Sequence, residues 1–142
     1  RLSEGLKELE GLRVPIIEAE CTHVYYVYPL ILDVKQLAVP KTRIVEALCA
    51  EGVSGISTAY QNIHLLPMYQ KKIAYGSSGF PWTAGFCRRD IDYRKGICPT
   101  AETLQDTTYM GYAMCLNEMP DEDVDLLIGA FRKVWSNLDV LR

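Results

Sequence analysis

The sequence predicts an α+β domain in which a small sheet has helices packed on one face. A run rich in β-branched and aromatic residues extends from Thr22 to Asp33, and such side chains favour strands because they lose rotamer freedom in helices. A helical pattern follows from Lys41 to Glu51, and a weaker alternating pattern from Val53 to Thr58 predicts a second strand. A strand, a helix and a strand in this order predict the sheet.

The composition is that of an ordinary globular protein. The chain has 142 residues, which fit one domain spanning 1–142, with 49% hydrophobic and 23% charged residues. The net charge is -3 and the acids are scattered, so we expect no nucleic-acid partner. No apolar run approaches 18 residues and no basic segment leads into an apolar one, so we expect neither a membrane span nor a signal peptide.

The cysteines and the first residue indicate the setting of the protein. Five cysteines, an odd number without a CxxC pair, favour reduced thiols in a cytoplasmic protein over a disulfide framework. The first residue is Arg1 rather than Met. We therefore expect a piece of a longer protein, whose function depends on the missing part.

Two segments in the first half have the apolar spacing of helices. Leucines at positions 2, 6, 9 and 12 predict an amphipathic helix over residues 3–11, with Ser3 as the N-cap and Gly11 at its end. The segment from Lys41 to Glu51 predicts a second helix that Gly52 ends. Its buried stripe is expected to consist of Ile44, Val45, Leu48 and Cys49.

The tyrosine-rich strand between these helices contains a proline. Pro29 cannot donate a hydrogen bond to a sheet ladder, which predicts a bulge or a strand that is open on one side at this point. Both faces of the run from Thr22 to Tyr28 are fairly apolar. This pattern predicts a strand that is covered on both sides, or nearly so.

The segment from Tyr60 to Tyr69 is the first candidate binding site. It combines His64 with two phenols and two amides, and Pro67 prevents one continuous helix. Such a cluster on a loop could bind a polyhydroxylated or carbonyl-bearing ligand. A histidine that serves only as a structural hydrogen-bond partner is the alternative.

Residues 75–98 predict a long loop, because they are rich in glycine and show little periodic pattern. Long loops inside compact domains are usually functional or disordered. Phe80, Pro81, Trp82 and Tyr93 supply apolar anchors that favour an ordered lid. Four basic residues between positions 88 and 95 could meet a phosphate or a carboxylate, and a solvated loop with incidental charge is the alternative.

The C-terminal third predicts a helix, a strand and a longer helix. Pro99 suits the first turn of a helix that extends to about residue 107, and residues 112–116 predict a third short strand. Pro120 and three acids after it begin the last helix, where acids favour the positive end of the helix dipole. Its buried stripe is expected to consist of Val124, Leu127, Ile128, Phe131, Val134, Trp135 and Leu138.

Several kinds of chemistry find no support in these patterns. Cys21 and His23 form the one close pair of potential zinc ligands, and they have no partner nearby in the sequence. No glycine loop precedes a lysine and a serine or threonine, as phosphate binding by a P-loop requires. A cysteine nucleophile paired with His64 is formally possible, but nothing marks one of the thiols as activated.

Five short motifs occur in order along the chain: THVYYVY at 22–28, Arg43 followed by LCAEGV at 48–53, HLLPMY at 64–69, CPTAE at 98–102 and PDEDV at 120–124. Together they resemble the C-terminal small domain of the DegT/DnrJ/StrS family of sugar and aminocyclitol aminotransferases. The segment from Phe80 to Pro99 looks most like the branch that acts on keto cyclitols and related keto sugars. Residues 115–118 lack the proline that the family often has there, which leaves the substrate branch open.

The resemblance implies a fold, a reaction and partners. The fold is an antiparallel-type sheet of three or four strands with helices on one face, as in the small domain of aspartate-aminotransferase-fold enzymes. In the reaction, pyridoxal phosphate carries an amino group from glutamate or glutamine to a keto sugar or keto cyclitol. The family's cofactor lysine lies in an N-terminal large domain, and the parent enzyme is expected to be a homodimer.

The resemblance also implies what these residues contribute. No lysine of this chain matches the family's lysine context, so we expect the chain alone to bind no cofactor and to have no catalytic residue. His64 matches a position that faces the substrate in relatives, and Tyr60 and Trp82 are expected neighbours. The alternative is a free-standing, non-catalytic ligand-binding or interaction module with the same fold.

Overall fold

The computed structural model describes residues 1–58, 60–113 and 118–142. The chain divides into two compact units, one formed by residues 1–59 and 106–142 and the other by residues 60–105. We call them the sheet unit and the loop unit. The elements are α1 (Leu2–Leu6), β1 (Leu12–Arg13), β2 (Tyr28–Leu32), α2 (Val34–Leu37), α3 (Lys41–Ala50), β3 (Ile56–Ser57), a 3-10 helix (Ile63–Leu65), α4 (Pro67–Lys71), α5 (Pro99–Thr103), a π-helical turn (Leu104–Thr108), β4 (Tyr109–Tyr112), α6 (Asp121–Trp135) and a second 3-10 helix (Leu138–Leu141).

The sheet unit is built on a four-stranded antiparallel sheet in the order β1-β2-β4-β3. Alternate residues of β2 are buried, which gives the strand one core face and one half-buried face. One apolar core joins this face to the helices α1, α3 and α6. The predicted α+β class, with helices on a small antiparallel sheet, is therefore confirmed. The core residues buried most deeply are Leu6, Tyr28, Leu30, Leu32, Val39, Ile44, Leu48, Met110 and Phe131.

The strand predicted from Thr22 to Asp33 is much shorter in the structure. It begins at Tyr28, and the residues before it are irregular. Tyr25 has a left-handed backbone with φ of 48°, and its N–H donates to Nδ1 of His23. A left-handed residue interrupts the pleat, so Val24 and Tyr26 are 87% and 67% exposed instead of covered by a sheet neighbour. The predicted two-sided burial is therefore wrong.

The prediction for Pro29 is confirmed. Pro29 is paired with Gly111 of β4 on one side, while β1 is paired with only Ile31 and Leu32 of β2. The strand is thus open on the β1 side at Pro29, where a missing N–H has no consequence for the ladder.

The first helix is also shorter than predicted, because it ends at Leu6 instead of Gly11. The turn that follows includes Gly11 at φ of 73°, and Leu12 is buried as part of β1. Ser3 is not the N-cap: it lies inside the helix, and its Oγ is 2.7 Å from the hydroxyl oxygen of Tyr28. The spacing of the leucines therefore predicted correctly that Leu12 is buried, but it predicted a helix where the structure has a turn and a strand.

The remaining elements of the sheet unit follow the predicted patterns with shifted bounds. Helix α3 ends before Gly52, which has φ of 90°, and it buries the expected Ile44, Val45 and Leu48. Cys49 is exposed, so its predicted place in this buried stripe is wrong. Helix α6 buries five residues of its expected stripe. The second strand is reduced to β3. The third strand was predicted at 112–116, whereas β4 ends at Tyr112; residues 114–117 lie outside the described part of the chain. Within that part, no helix is both long and apolar enough to span a bilayer.

The loop unit has little regular structure. Pro67 occupies the first turn of α4, so it separates the 3-10 helix from α4 as predicted. No helix or strand falls within residues 72–98, all of which the structure describes. The helix predicted to begin at Pro99 is α5, and it continues as the π-helical turn.

Candidate functional site

His64 lies in the 3-10 helix of the loop unit, directly before the turn that Pro67 imposes. Its side chain is only 11% exposed, and its Nε2 is 3.0 Å from Oε1 of Glu102 on α5. The two residues are 38 positions apart in the sequence. The loop and the helix therefore meet at this pair.

Glu102 is buried because several donors converge on its carboxylate. The backbone N–H of Gly96 donates to both oxygens at 2.8 Å, and the N–H of Cys98 donates to Oε1 at 3.3 Å. Burial raises the pKa of Glu102, but the hydrogen bonds from Gly96, His64 and Cys98 outweigh it, so the pKa lies below its ordinary value. The group is a carboxylate at neutral pH and accepts hydrogen bonds only.

Trp82 belongs to a cluster of three aromatic residues. Its indole N–H donates to the hydroxyl oxygen of Tyr93 at 3.1 Å, and the two rings meet edge to face. Tyr69 of α4 contacts both rings, with centroids 6.0 Å from Trp82 and 5.2 Å from Tyr93. Edge-to-face aromatic packing stabilises such clusters. Two of the four predicted apolar anchors of the long loop, Trp82 and Tyr93, are therefore in contact with α4.

Gln70 connects the aromatic cluster to the segment of His64. Its Nε2 donates to the carbonyl oxygen of His64 at 2.6 Å and to the carbonyl oxygen of Tyr93 at 2.5 Å. One amide group therefore uses both of its donors to join the two segments. The structure thus brings His64 and Trp82 into one connected group within the loop unit.

Tyr60 and Asn62 precede this group in the chain. Tyr60 is 62% exposed, so it does not share the burial of His64. The Nδ2 atom of Asn62 is buried and has no hydrogen-bond partner among the described residues. An unsatisfied buried donor is unfavourable, so this amide lowers the stability of the segment.

The sequence did not indicate Glu102 or Gln70 as members of the group. It indicated Tyr93 as an apolar anchor but not as a hydrogen-bond acceptor. Glu102 has the pattern of an ordinary acid in the first turn of a helix, which favours a solvated side chain. The one sequence feature near Glu102 is Gly96, six residues earlier, whose N–H donates to the carboxylate and whose φ of 102° favours glycine.

The group combines an imidazole, aromatic rings and a side-chain amide within the loop unit. Among the described residues, no three potential ligands from His, Cys, Asp and Glu come together. Aromatic rings and an imidazole are side chains that suit a ligand with hydroxyl groups and an apolar ring face.

Comparisons with known proteins give consistent results. A model described as the DegT/DnrJ/EryC1/StrS aminotransferase family matches residues 1–105. The uncharacterized protein MJ1066 of Methanocaldococcus jannaschii is 30% identical over 89 residues, which are 63% of this chain and 23% of that protein. The spore coat polysaccharide biosynthesis protein SpsC of Bacillus subtilis is 26% identical over 139 residues, which are 98% of this chain and 31% of that protein.

A solved structure has a similar fold. The crystal structure of the aminotransferase TlmJ from Streptoalloteichus hindustanus matches with a TM-score of 0.62 and 23% identity, over 98% of this chain and 30% of that chain. The present chain therefore spans less than a third of the length of these relatives, at 23%, 31% and 30%.

Proposed function

Because this chain belongs to the DegT/DnrJ/EryC1/StrS aminotransferase family, we propose that residues 1–142 are the C-terminal small domain of a longer pyridoxal-phosphate-dependent aminotransferase. Its substrates are glutamate or glutamine as amino donor and a keto sugar or keto cyclitol as acceptor. The parent enzyme is a cytoplasmic homodimer, and the chain alone is not catalytic. The family match over residues 1–105 is the observation that carries this proposal.

The share of each relative that the chain covers supports the assignment to a part of an enzyme. SpsC matches almost the whole of this chain, yet the match uses 31% of SpsC. The remaining length is enough for the large domain that the proposal requires. The name of SpsC connects that protein with polysaccharide biosynthesis, which supports a sugar-like acceptor here.

Four of the seven lysines make contacts that are unfavourable for holding the cofactor. Lys41 is the buried lysine, and its Nζ donates to the carbonyl oxygen of Thr58 at 2.6 Å in the sheet unit. Lys7, Lys72 and Lys133 lie at the surface in ion pairs with carboxylates. A lysine that holds pyridoxal phosphate needs a free amine that faces the cofactor. These contacts support the part of the proposal that places the cofactor lysine in the large domain of the longer protein.

The proposed contribution of this chain is to bind and orient the acceptor. His64 offers a hydrogen bond to a hydroxyl group of the sugar or cyclitol, and Trp82 offers an apolar face for the ring. Tyr60 completes the substrate-binding set at the exposed start of the loop unit. In this role the residues exclude water and fix the position of the carbonyl, which raises the rate through orientation.

The test compares two forms of the protein. The 142-residue chain and the protein that includes its upstream region are each incubated with pyridoxal phosphate, reduced with borohydride and analysed by peptide mass spectrometry. We expect one stoichiometric lysine adduct in the longer protein, outside residues 1–142, and no such adduct in the chain. The longer protein should also release a 2-oxo acid from glutamate or glutamine when a keto sugar or keto cyclitol is added. A stoichiometric adduct at one lysine of the chain would overturn the proposal.

A further inference from the structure

The carboxylate of Glu102 has contacts of two kinds. Two of its donors, the N–H groups of Gly96 and Cys98, belong to the backbone at the end of the long loop. The third is the imidazole of His64, which comes from a different segment of the loop unit. The backbone contacts hold Glu102 in place, so the orientation of its oxygens does not depend on His64.

A fixed carboxylate determines the protonation pattern of the histidine beside it. Because the carboxylate only accepts hydrogen bonds, Nε2 of His64 must carry the hydrogen. Nδ1 has no hydrogen-bond partner among the described residues. The ring is thus held through one nitrogen, and the other nitrogen remains available to a ligand.

We propose that Glu102 is a positioning residue for the proposed transfer reaction: it fixes the ring of His64 through Nε2 so that Nδ1 can bind a hydroxyl group of the acceptor. This inference rests on the proposed function, because it gives His64 a substrate to bind. Glu102 itself does not touch the substrate. A carboxylate that orients a histidine through its second nitrogen is a common means of fixing a functional imidazole.

A purely structural role for Glu102 predicts different behaviour. In that case Glu102 would serve only to attach the end of the loop to α5 through Gly96 and Cys98, and its contact with His64 would be incidental. Replacement of Glu102 would then affect function through the loop and not through His64. The two roles can be separated because only the positioning role makes the effect of replacing Glu102 depend on the presence of His64.

The contact can be tested by NMR in the 142-residue chain, which has two histidines, His23 and His64. We expect His64 to show a downfield ring N–H signal that exchanges slowly with water, as a charge-assisted hydrogen bond requires. Glu102→Gln should move this signal upfield, and Glu102→Ala should abolish it. The control Asp90→Asn removes an exposed carboxylate of the same unit and should leave the signal unchanged. A ring signal that Glu102→Ala leaves unchanged overturns the proposal.

The role in the reaction can be tested by a kinetic double-mutant cycle in the protein that includes the upstream region. We expect His64→Ala and Glu102→Gln each to lower kcat/KM for the keto acceptor by about tenfold or more, the range for loss of one charge-assisted hydrogen bond. If Glu102 acts through His64, Glu102→Gln should have no further effect in the His64→Ala background. Asp90→Asn is again the control and should leave kcat/KM unchanged.

The outcomes distinguish the two proposals. If His64→Ala lowers kcat/KM and the two effects multiply, Glu102 acts independently of His64 and the inference fails while the proposed function stands. If His64→Ala leaves kcat/KM unchanged, the substrate-binding role of His64 fails, and the inference fails with it. A non-multiplicative cycle together with the shifted ring signal supports the positioning role.

Discussion

Replacement of Gly5 tests how closely the first and last helices of the sheet unit approach each other. Gly5 lies in α1 against Ile128 of α6, and its carbonyl oxygen accepts a hydrogen bond from Arg132 at 3.2 Å. A Cβ atom at position 5 would be 2.3 Å from Cδ1 and 2.6 Å from Cγ1 of Ile128. Both distances are far below van der Waals contact, so Gly5→Ala must displace the isoleucine.

Two opposing effects determine the change in the free energy of unfolding. Alanine is favoured over glycine in a helix by about 1 kcal/mol, which stabilises the variant. Overpacking of a close contact costs about 1–3 kcal/mol. Ile128 is β-branched on a helix and has few alternative rotamers, which favours the upper part of that range. We therefore expect Gly5→Ala to be destabilising by about 1–2 kcal/mol.

The assay is urea unfolding of the chain, with Ile128→Ala as the second background and Gly129→Ala as the matched control. Gly129 is exposed on α6, and a Cβ atom added there would have no neighbouring atom within 4 Å. Gly129→Ala should therefore stabilise by up to about 1 kcal/mol. In the Ile128→Ala background the obstructing side chain is absent. Gly5→Ala should then become stabilising by a similar amount.

The change of sign between backgrounds is the decisive observation. Ile128→Ala alone should destabilise by about 2–4 kcal/mol, because it leaves a cavity in the core. If Gly5→Ala has the same effect with isoleucine and with alanine at position 128, the two residues are not in the close contact that the structure shows. Helices α1 and α6 would then approach each other less closely at Gly5 than the structure shows.

Two further predictions concern hydrogen bonds. The pKa of Glu102 lies below its ordinary value of 4.5 in the folded chain, so its stabilising contribution is complete above pH 4.5 and is lost as the pH falls through the folded-state pKa. In urea unfolding from about pH 7 to about pH 3, the free energies of unfolding of the unmodified chain and of Glu102→Gln should therefore converge at acid pH. A constant difference between the two free energies over this range would contradict the prediction. Tyr28→Phe removes the hydrogen bond between a 2% exposed tyrosine and Ser3, and it should lower the free energy of unfolding in urea by about 1 kcal/mol. Addition of Ser3→Ala should then lower this free energy little further. Additive losses from the two substitutions would show that the bond does not form in solution.

The sequence predicted those elements whose local pattern and tertiary role agree. Helix α6 has apolar residues at helical spacing over fifteen residues, together with acids at its start, and the structure buries five of those residues. Helix α3 likewise buries three of its four predicted residues and has a glycine after its end. In both cases the same residues determine the helix and its packing, so one pattern was sufficient.

The errors arose where a pattern indicates burial or strand propensity without determining the backbone. Leu12 is buried as the spacing of leucines predicted, but a turn and a strand bury it instead of a continuous helix. The aromatic and β-branched residues before Tyr28 favour a strand, yet Tyr25 adopts a left-handed backbone. Strand propensity reflects a fit to neighbouring strands, and among the described residues no strand is paired with the segment from Thr22 to Val27.

Two residues of the candidate site were selected from the sequence, and their hydrogen-bond partners were not. His64 and Trp82 could be selected because histidine and tryptophan are uncommon residues whose chemistry is visible in a sequence. Their partners include a glutamate and a glutamine, which are common on solvated helix surfaces and have no distinguishing local pattern. Glu102 becomes distinct only when three donors converge on it in the folded chain. Convergence of this kind is a property of the folded loop, so the tests of Glu102 measure the part of the site that the sequence alone could not specify.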